Sequence, residues 1–453
     1  MPVDQSIIDA TLRSPYGEQA YLIVEKLMDA GFDAWWVGGA VRDMLLGTIP
    51  HDIDIATDAE PDEIVDLFSK VDTRSKLLGS LRIAMKKFSF EVTTFREDDE
   101  ASDGRHPESI AFSTREKDAH RRDFTINTLY FNPISRGLYD PFGGEADLKE
   151  KLIRFIGIAG IRIQHDALRM LRAVRFRALL NGQYHPETYA ALRELAPMVE
   201  TLSGSRQLEE LQKMLLGPHP DRALNDLWEL SILQYFLPEL AACKGIAQPA
   251  DYHHEGDVWE HMLHIVRAFR KEDGIDIRIA ALFHDCGKVQ TFSLQERIRF
   301  DHHASVSSEN ARVALTRLQM PAGRIEKICW LIMHHMMMGS FSEMNDTRKA
   351  HWYYHPWFAE LLQLFWLDIA GTTPQDFSLY DSIVKDYQHF LDSHPRPQRP
   401  LLTGEEVMTL AGIRPGEKVG EILLSLHTAQ LEKKITSKKE AEEFVQSLVQ
   451  GRS

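Results

Sequence analysis

The stretch WVGGAVRDMLLGTIPHDIDIAT, from Trp36 to Thr57, decides how the fold is read. It predicts a buried strand, a Gly-Gly turn, a short helix, a loop and a second strand carrying two aspartates. Gly38 and Gly39 have no Cβ, so their amides can approach a phosphate closely and adopt unusual backbone angles. A helix starting near Ala40 points its positive end at the same anion site. Asp52 and Asp54 stand two apart on the expected strand IDI, so both carboxylates face one way, about 7 Å apart. Paired carboxylates beside a phosphate cradle suit a divalent cation engaged in phosphoryl chemistry.

Working outward, apolar residues at helical spacing predict one helix over residues 5–30. DAEPDEIVDLFSKV predicts a helix with Pro61 near its start, and SLRIAMKK and FSFEVTTF predict strands. Residues 30–96 therefore read as a small mixed α/β unit. Glu91 is a candidate third acid facing the two aspartates, and equally a solvent-facing strand residue. Residues 97–115 are polar, with Gly104 and Pro107, and read as a flexible loop. In DAHRRDFTINTLYFNP, Arg121, Arg122 and Asp123 precede an apolar run read as helical. Arginines clamp triphosphate oxygens, and an aspartate accepts from ribose hydroxyls. Residues 163–180, IQHDALRMLRAVRFRALL, read as a helix with Asp166, Arg169, Arg172 and Arg175 every third residue. Leu168, Leu171 and Val174 form its apolar stripe. An aspartate with an arginine can meet the edge of a base, and further arginines bind phosphate. Helical pattern continues to about residue 245, where glycine and proline interrupt it.

GGAVRDMLLG followed by HDIDIAT resembles the signature of class II tRNA nucleotidyltransferases and bacterial poly(A) polymerases, of the DNA polymerase β-like superfamily. The resemblance implies that Asp52 and Asp54 hold Mg²⁺ as catalytic residues, and that Gly39 and Arg42 help hold the triphosphate. RRDFTIN is similar to the family's second motif, in which Arg122 and Asp123 grip nucleotide phosphate and ribose. LYDPFGGEADLKEKLIRFIG, Leu138 to Gly157, is similar to its hinge into a helical neck. HDALR is similar to its EDxxR protein template, with Asp166 and Arg169 reading the base, Arg172 and Arg175 binding phosphate or ribose, and His165 where the family usually has Glu. DGRHP, at Asp103–Pro107, is similar to the loop of enzymes that add adenosine.

A second set of residues lies in the C-terminal half. His261, the adjacent pair His284–Asp285, and Asp368 follow the order H…HD…D on helical segments. Imidazoles with carboxylates suit a divalent metal. His284 and Asp285 follow the apolar run AALF, where neither belongs without a metal or partner. His303 and either His334 or His335 are candidate further ligands. Gly287 and Lys288 complete HDCGK, which together with WEHMLH resembles the HD superfamily of phosphohydrolases. Residues 352–366 are dense in aromatics and read as helix packing, with base stacking as the alternative. LTGEEV caps a helix near the end, and Lys433, Lys434, Lys438 and Lys439 form a small basic patch, another candidate RNA contact.

The chain has 453 residues, 43% of them hydrophobic and 26% charged, which is ordinary for a globular protein of several domains. No apolar run is long enough to cross a bilayer, and MPVDQSIIDATLRSP shows no signal-peptide pattern. Cys243, Cys286 and Cys329 lie far apart without a CxxC pair, as expected in a reducing cytoplasm. A net charge of −15 argues against a broad nucleic-acid coat and against an anionic membrane surface.

The fold class expected is α+β. A nucleotidyltransferase head spans 1–140, an all-α neck 141–245, an HD domain 246–375 and a helical tail 376–453. The resemblance implies addition or repair of the 3′-terminal CCA of tRNA from CTP and ATP, with Mg²⁺, without DNA or membrane partners, and with an added phosphohydrolase activity. An A-adding enzyme, a poly(A) polymerase, and an HD phosphohydrolase with an RNA-binding head are the alternatives.

Overall fold

The computed structural model describes residues 4–97, 111–249, 254–294, 297–393, 401–431 and 434–450. The loop motif Asp103–Pro107 and Lys433 lie outside these residues. The chain divides into two compact units, Met1–Ala241 and Ala242–Ser453.

In the first unit the helix expected over 5–30 is two helices, α1 (Gln5–Arg13) and α2 (Pro15–Asp29). Pro15 cannot donate to a continuing ladder, and Ser14 caps the second helix by accepting from the Gly17 amide. Then follow β1 (Ala34–Val37), α3 (Gly39–Leu45), β2 (Asp54–Thr57), α4 (Pro61–Leu67), β3 (Val71–Asp72), β4 (Ser80–Met85) and β5 (Phe88–Thr94). A two-stranded pair, β6 (Arg96–Glu97) with β7 (Ala111–Phe112), leads into α5 (Arg115–Arg121), β8 (Tyr130–Phe131) and β9 (Leu138–Tyr139). One seven-stranded sheet has the order β3-β4-β5-β2-β1-β8-β9. On one face Trp36, Ile55, Phe90 and Val92 pack with Ile23 and Leu27 of α2. The opposite face carries the polar residues that form the site.

The register of the sheet assembles that site. Val37 of β1 pairs with Asp54 of β2, so the first aspartate of the strand lies at the start of the glycine turn. β2 runs parallel to β5 with Ile55 opposite Val92, which puts Asp54 level with Glu91 on the same face. Asp52 precedes the strand instead of sharing it. β1 ends at Val37 and Gly38 turns away with φ +68°, so the pairing of β2 with β1 stops at Asp54.

The apolar run after Asp123 also departs from expectation. Arg121 ends α5, and the run forms a single 3₁₀ turn, Thr125–Asn127, and then β8 at the flank of β1. Pairing with β1 overrides the helical pattern. The expected helix over 163–180 breaks as well, into α7 (Ala159–His165) and α8 (Leu168–Leu180), after the hinge helix α6 (Gly144–Lys149). Asp166 sits extended at the break, its carboxylate accepting from the Leu168 amide at 3.1 Å. Cap chemistry thus wins over helix continuation.

Among the described residues the second unit is helical apart from one antiparallel strand pair, Ser293–Leu294 with Ile298–Arg299. The aromatic run at 352–366 is split between helices Asp346–Tyr353 and Phe358–Gly371. His355, in the break, stacks flat on Trp330 at 3.9 Å between ring centroids. The helix Ser378–Ser393 lays Tyr387 and Phe390 on Tyr353, and Tyr387 on Phe358. A small core of Val407, Leu426, Ala441 and Val445 closes the tail, with Thr403 and Glu406 forming a capping box. Lys438, read as part of a basic patch, is paired to Glu406. No helix among the described residues is long and apolar enough to cross a membrane.

Candidate functional site

A cavity of about 640 Å³ opens on the polar face of the sheet. Asp54 and Glu91 lie in its floor and Arg121 and Arg122 form one wall. Asp54 reaches solvent, but protein crowds it on most sides. This desolvation first, and then the Asp52 and Glu91 carboxylates, push its carboxyl up to about 6. Two carboxylates that raise a third form with it a set that a divalent cation would neutralise. Asp52 lies beside the cavity, its Oδ1 accepting from the Tyr16 hydroxyl at 3.1 Å, and Ser80 donates to Glu91 at 2.8 Å.

The arginine wall is held from behind. Asp118, 1% exposed, accepts from Arg121 at 2.8 Å, from Arg122 at 3.1 Å and from the Tyr130 hydroxyl at 2.8 Å. Burial works to raise the Asp118 carboxyl. Arg122, Arg121 and Tyr130 outweigh it and hold the group below the usual range. Arg122 approaches Gly38 so closely that a Cβ there would lie 3.8 Å from its guanidinium. Arg42 is not on this wall. It bonds Asn127 at 2.8 Å and Asp43 at 2.8 Å, and Asn127 in turn donates to Asp123 at 3.3 Å. Asp123 also takes Arg172 at 2.6 Å. Gly39 lies next to Arg42, 3.5 Å from its guanidinium by the same measure. Arg42, Arg172 and Arg175 surround the ring of Phe176, at 5.2, 5.3 and 4.2 Å. The nucleotide candidates therefore fall into two adjoining groups that meet at Gly38 and Asn127.

The expected base-reading pair is not joined in this state. Asp166 is paired with Arg206 at 2.8 Å, and Arg169 donates to the carbonyls of Arg162 at 2.8 Å and Arg121 at 3.2 Å. Arg175 is tied to the buried Glu210 at 2.7 Å. Its charge is thus compensated within the protein, unlike the phosphate ligand expected of it.

In the second unit His261, His284, Asp285 and Asp368 converge. His261 Nε2 is 3.2 Å from Asp368 and 3.7 Å from Asp285, and His284 Nε2 is 3.5 Å from Asp368 and 3.3 Å from Asp285. His303 and His335 reach the other oxygen of Asp285 at 3.3 and 3.9 Å. His334, the alternative to His335, instead packs against Trp330 and Trp352. Every inward imidazole has its outer nitrogen engaged. Nδ1 meets Glu255 at 3.0 Å in His261, and the carbonyls of Ala281, Phe300 and Ile332 in His284, His303 and His335, at 2.8, 2.9 and 2.6 Å. Protonated there, the neutral rings turn basic Nε2 atoms to a common centre. His284 Nε2 is buried without a hydrogen-bond partner, an orphan that a cation would satisfy.

Residues 34–154 match the poly A polymerase head domain, 183–244 the probable RNA and SrmB-binding site of polymerase A, and 252–386 the HD domain. The chain carries a poly A polymerase head and an HD domain. CCA-adding enzymes are similar over about half the sequence. That of Geobacillus kaustophilus is 41% identical over 51% of this chain and 57% of its own length. That of Staphylococcus aureus (strain bovine RF122 / ET3-1) is 39% identical over 48% and 54%. The chain thus spans about half the length of the curated relatives it matches. Among solved structures, the Bacillus stearothermophilus CCA-adding enzyme in complex with CTP is 26% identical, with a TM-score of 0.69 over 97% of this chain and 99% of that one. The Thermotoga maritima CCA-adding enzyme complexed with tRNA, at 19% identity and a TM-score of 0.57 over 99% of both chains, shares the fold.

The polymerase head and the HD domain both depend on residues that sequence reasoning passed over. In the head these are Tyr16, Asp118, Asn127, Tyr130 and Arg162, the last donating to the Arg122 carbonyl at 2.7 Å. In the HD domain Glu255 orients His261. Tyr16 and Arg162 act across the fold, whereas Asp118 stands three and four residues before Arg121 and Arg122, a helical spacing visible in the sequence. Another signal was available in HDCGK. A Cβ on Gly287 would stand 2.4 Å from the His303 carbonyl, so only glycine lets the helix that begins at His303 come this close.

Proposed function

We propose that the protein is a tRNA nucleotidyltransferase that adds or repairs the 3′-terminal CCA from CTP and ATP without a nucleic-acid template. The observation that carries this reading is that Asp54 and Arg122 share one cavity beside the glycine turn. Asp52 and Asp54 are the residues to hold Mg²⁺. Bound there, the ion would lower the pKa of the attacking RNA 3′-hydroxyl and stabilise charge on the α-phosphate. Arg122, fixed by Asp118, binds the triphosphate, and the glycine turn lets it approach the backbone. Asp123, Arg42 and Arg172 orient the nucleotide beside Phe176. Base reading by Asp166 and Arg169 requires Asp166 to exchange Arg206 for the base, so nucleotide binding is coupled to opening that ion pair. We place the protein in the cytoplasm with its tRNA substrate, in keeping with three free buried cysteines.

The test uses tRNA transcripts ending before CCA, after C and after CC, given CTP, ATP or both. Complete CCA ends on all three, with CTP and ATP both required for the shortest, are expected. Long A-tails would identify a poly(A) polymerase, and extension of the CC-ended transcript alone an A-adding enzyme.

A second activity rests on the orphaned His284 Nε2 among converging ligands. We propose that the HD domain holds a divalent metal and hydrolyses phosphate esters. Lys288, 2.7 Å from Asp285 in a cavity of about 630 Å³ next to the cluster, is placed to steady the phosphate. Metal-dependent phosphate release that disappears in His284→Ala checks it.

A further inference from the structure

The wall of the head cavity opposite Arg122 has no role in the mechanism above. It is built by β4 and the turn before it, with Arg74, Leu78, Ser80 and Arg82 facing the cavity and Arg96 beside them. Sheet order fixes the geometry. β2, with Asp54, lies between β1 and β8 on one side and β5 and β4 on the other. Gly38 and Arg122 stand at the β1–β8 side. Arg82 stands at the β4 side, opposite Glu91 in the register.

Nucleotidyl transfer displaces pyrophosphate in line, so the attacking oxygen and the leaving group lie on opposite sides of the α-phosphorus. The 3′-oxygen of the RNA forms a bond to that phosphorus, the bond to the bridging oxygen of the β-phosphate breaks, and pyrophosphate departs with that oxygen. The hydroxyl proton is released to solvent. With the triphosphate against Arg122, the RNA end must come from the β4 side. The cations on that side differ in their occupation. Arg74 is held by Asp72 at 2.9 Å, and Arg96 donates to the Leu78 carbonyl. Arg82, among the described residues, makes no ion pair, and its charge reaches Asp54, whose carboxyl it lowers. At the turn before β4 the ring of Phe112 rests on Gly79, where a Cβ would stand 3.3 Å away. Phe112 and Leu78 are 39% and 49% exposed, an apolar rest next to a cationic group. Unpaired RNA ends are bound by this combination of stacking and phosphate contact.

We propose that the β4 wall is the site for the 3′ end of the acceptor RNA, with Arg82 binding its terminal phosphodiester and Phe112 with Leu78 supporting its last base. This rests on the head acting as a nucleotidyltransferase.

The experiment is steady-state addition of A to a CC-ended tRNA transcript, varying RNA and ATP separately, with filter binding of the same transcript over a range of salt. Arg82→Ala is expected to raise KM for RNA about tenfold, leave KM for ATP unchanged and reduce the salt slope of RNA binding by about 1. Arg82→Lys should recover much of the RNA affinity, because a point charge serves a phosphate. Phe112→Ala should raise KM for RNA with the salt slope unchanged. An RNA KM that does not move in Arg82→Ala, or an ATP KM that rises in parallel with it, overturns the inference while the wild type still adds A. Absence of any incorporation by the wild type overturns the function assigned to the head, and this inference with it.

Discussion

The candidate metal sites of the head and of the HD domain are built by opposite means. In the head Asp54 and Glu91 stand on neighbouring strands in the floor of an open cavity, with Asp52 just before the strand, and their charges oppose one another. Among the described residues no donor is fixed on Asp54, and its carboxyl is pushed up to about 6. In the HD domain the histidines and Asp285 are buried and Asp368 is half-buried, and each imidazole is oriented by a bond from its far nitrogen. In the proposed reaction the cation and substrate would complete the head site, which suits a site that takes a new nucleotide and RNA end at each step. The HD cluster is preorganised and suits a resident ion.

The largest effect should come from the residues that separate the two sites. Asp54→Ala should lower CMP and AMP incorporation more than about a hundredfold while the metal content of the HD domain, measured by elemental analysis, stays constant. His284→Ala should do the reverse. Equal loss of both activities in either variant would break the comparison. Next, Glu255→Gln should weaken metal binding at the HD cluster by about 10–100-fold in equilibrium dialysis, since His261 loses its orienting carboxylate. Asp118→Asn should destabilise the head by about 3 kcal/mol in urea melts, because it strips a buried ion pair of one partner. KM for nucleotide should rise with it.

Smaller effects sharpen the picture of the acid cluster. The Asp54 carboxyl is raised in the folded state, so the folded protein binds that proton more tightly than the unfolded chain does. Stability therefore falls as pH rises from about 4 to about 6. Asp54→Asn should raise Tm in metal-free buffer at pH 7, and the gain should vanish below about pH 4. Mg²⁺ should raise the wild-type Tm and not that of the variant. The smallest expected change is in Tyr16→Phe. Loss of one hydrogen bond of about 1 kcal/mol should shift the Mg²⁺ dependence of incorporation about fivefold. Asp52 would then be freer to swing, and an unchanged Mg²⁺ curve would show that the hydroxyl has no part in placing it.

Much of the head was legible because its signals are local. The strand–turn–helix at Trp36–Leu45 follows from β-branched and aromatic residues, then two glycines, then an apolar helical pattern. The hairpin of β4 and β5 follows from strict alternation in SLRIAM and FSFEVTT. What was misread was decided by one local cap and by pairing at a distance. The continuous helix expected over 163–180 yields to the Asp166 cap. The helix expected after Asp123 yields to pairing with β1, and Asp52 falls off the strand because β1 stops at Val37. The arginine row on α8 shows the same limit. Spacing placed Arg169, Arg172 and Arg175 on one side of the chain, yet each is taken by a different partner: backbone carbonyls, Asp123 and Glu210.

The sequence by itself determined the order of chemistry along the chain: glycine turn, acid pair, arginine motif, then a histidine-rich half. Residue type and short spacing set which groups can bind phosphate or a metal, and these are properties of a segment. Only the tertiary structure decided which of those groups meet. The parallel register of β2 and β5 brought Glu91 level with Asp54. Helix packing brought His261, His303, His335 and Asp368 to the His284–Asp285 pair. Side chains meet through sheet order and helix packing between residues far apart in the chain, and no local pattern encodes those distances.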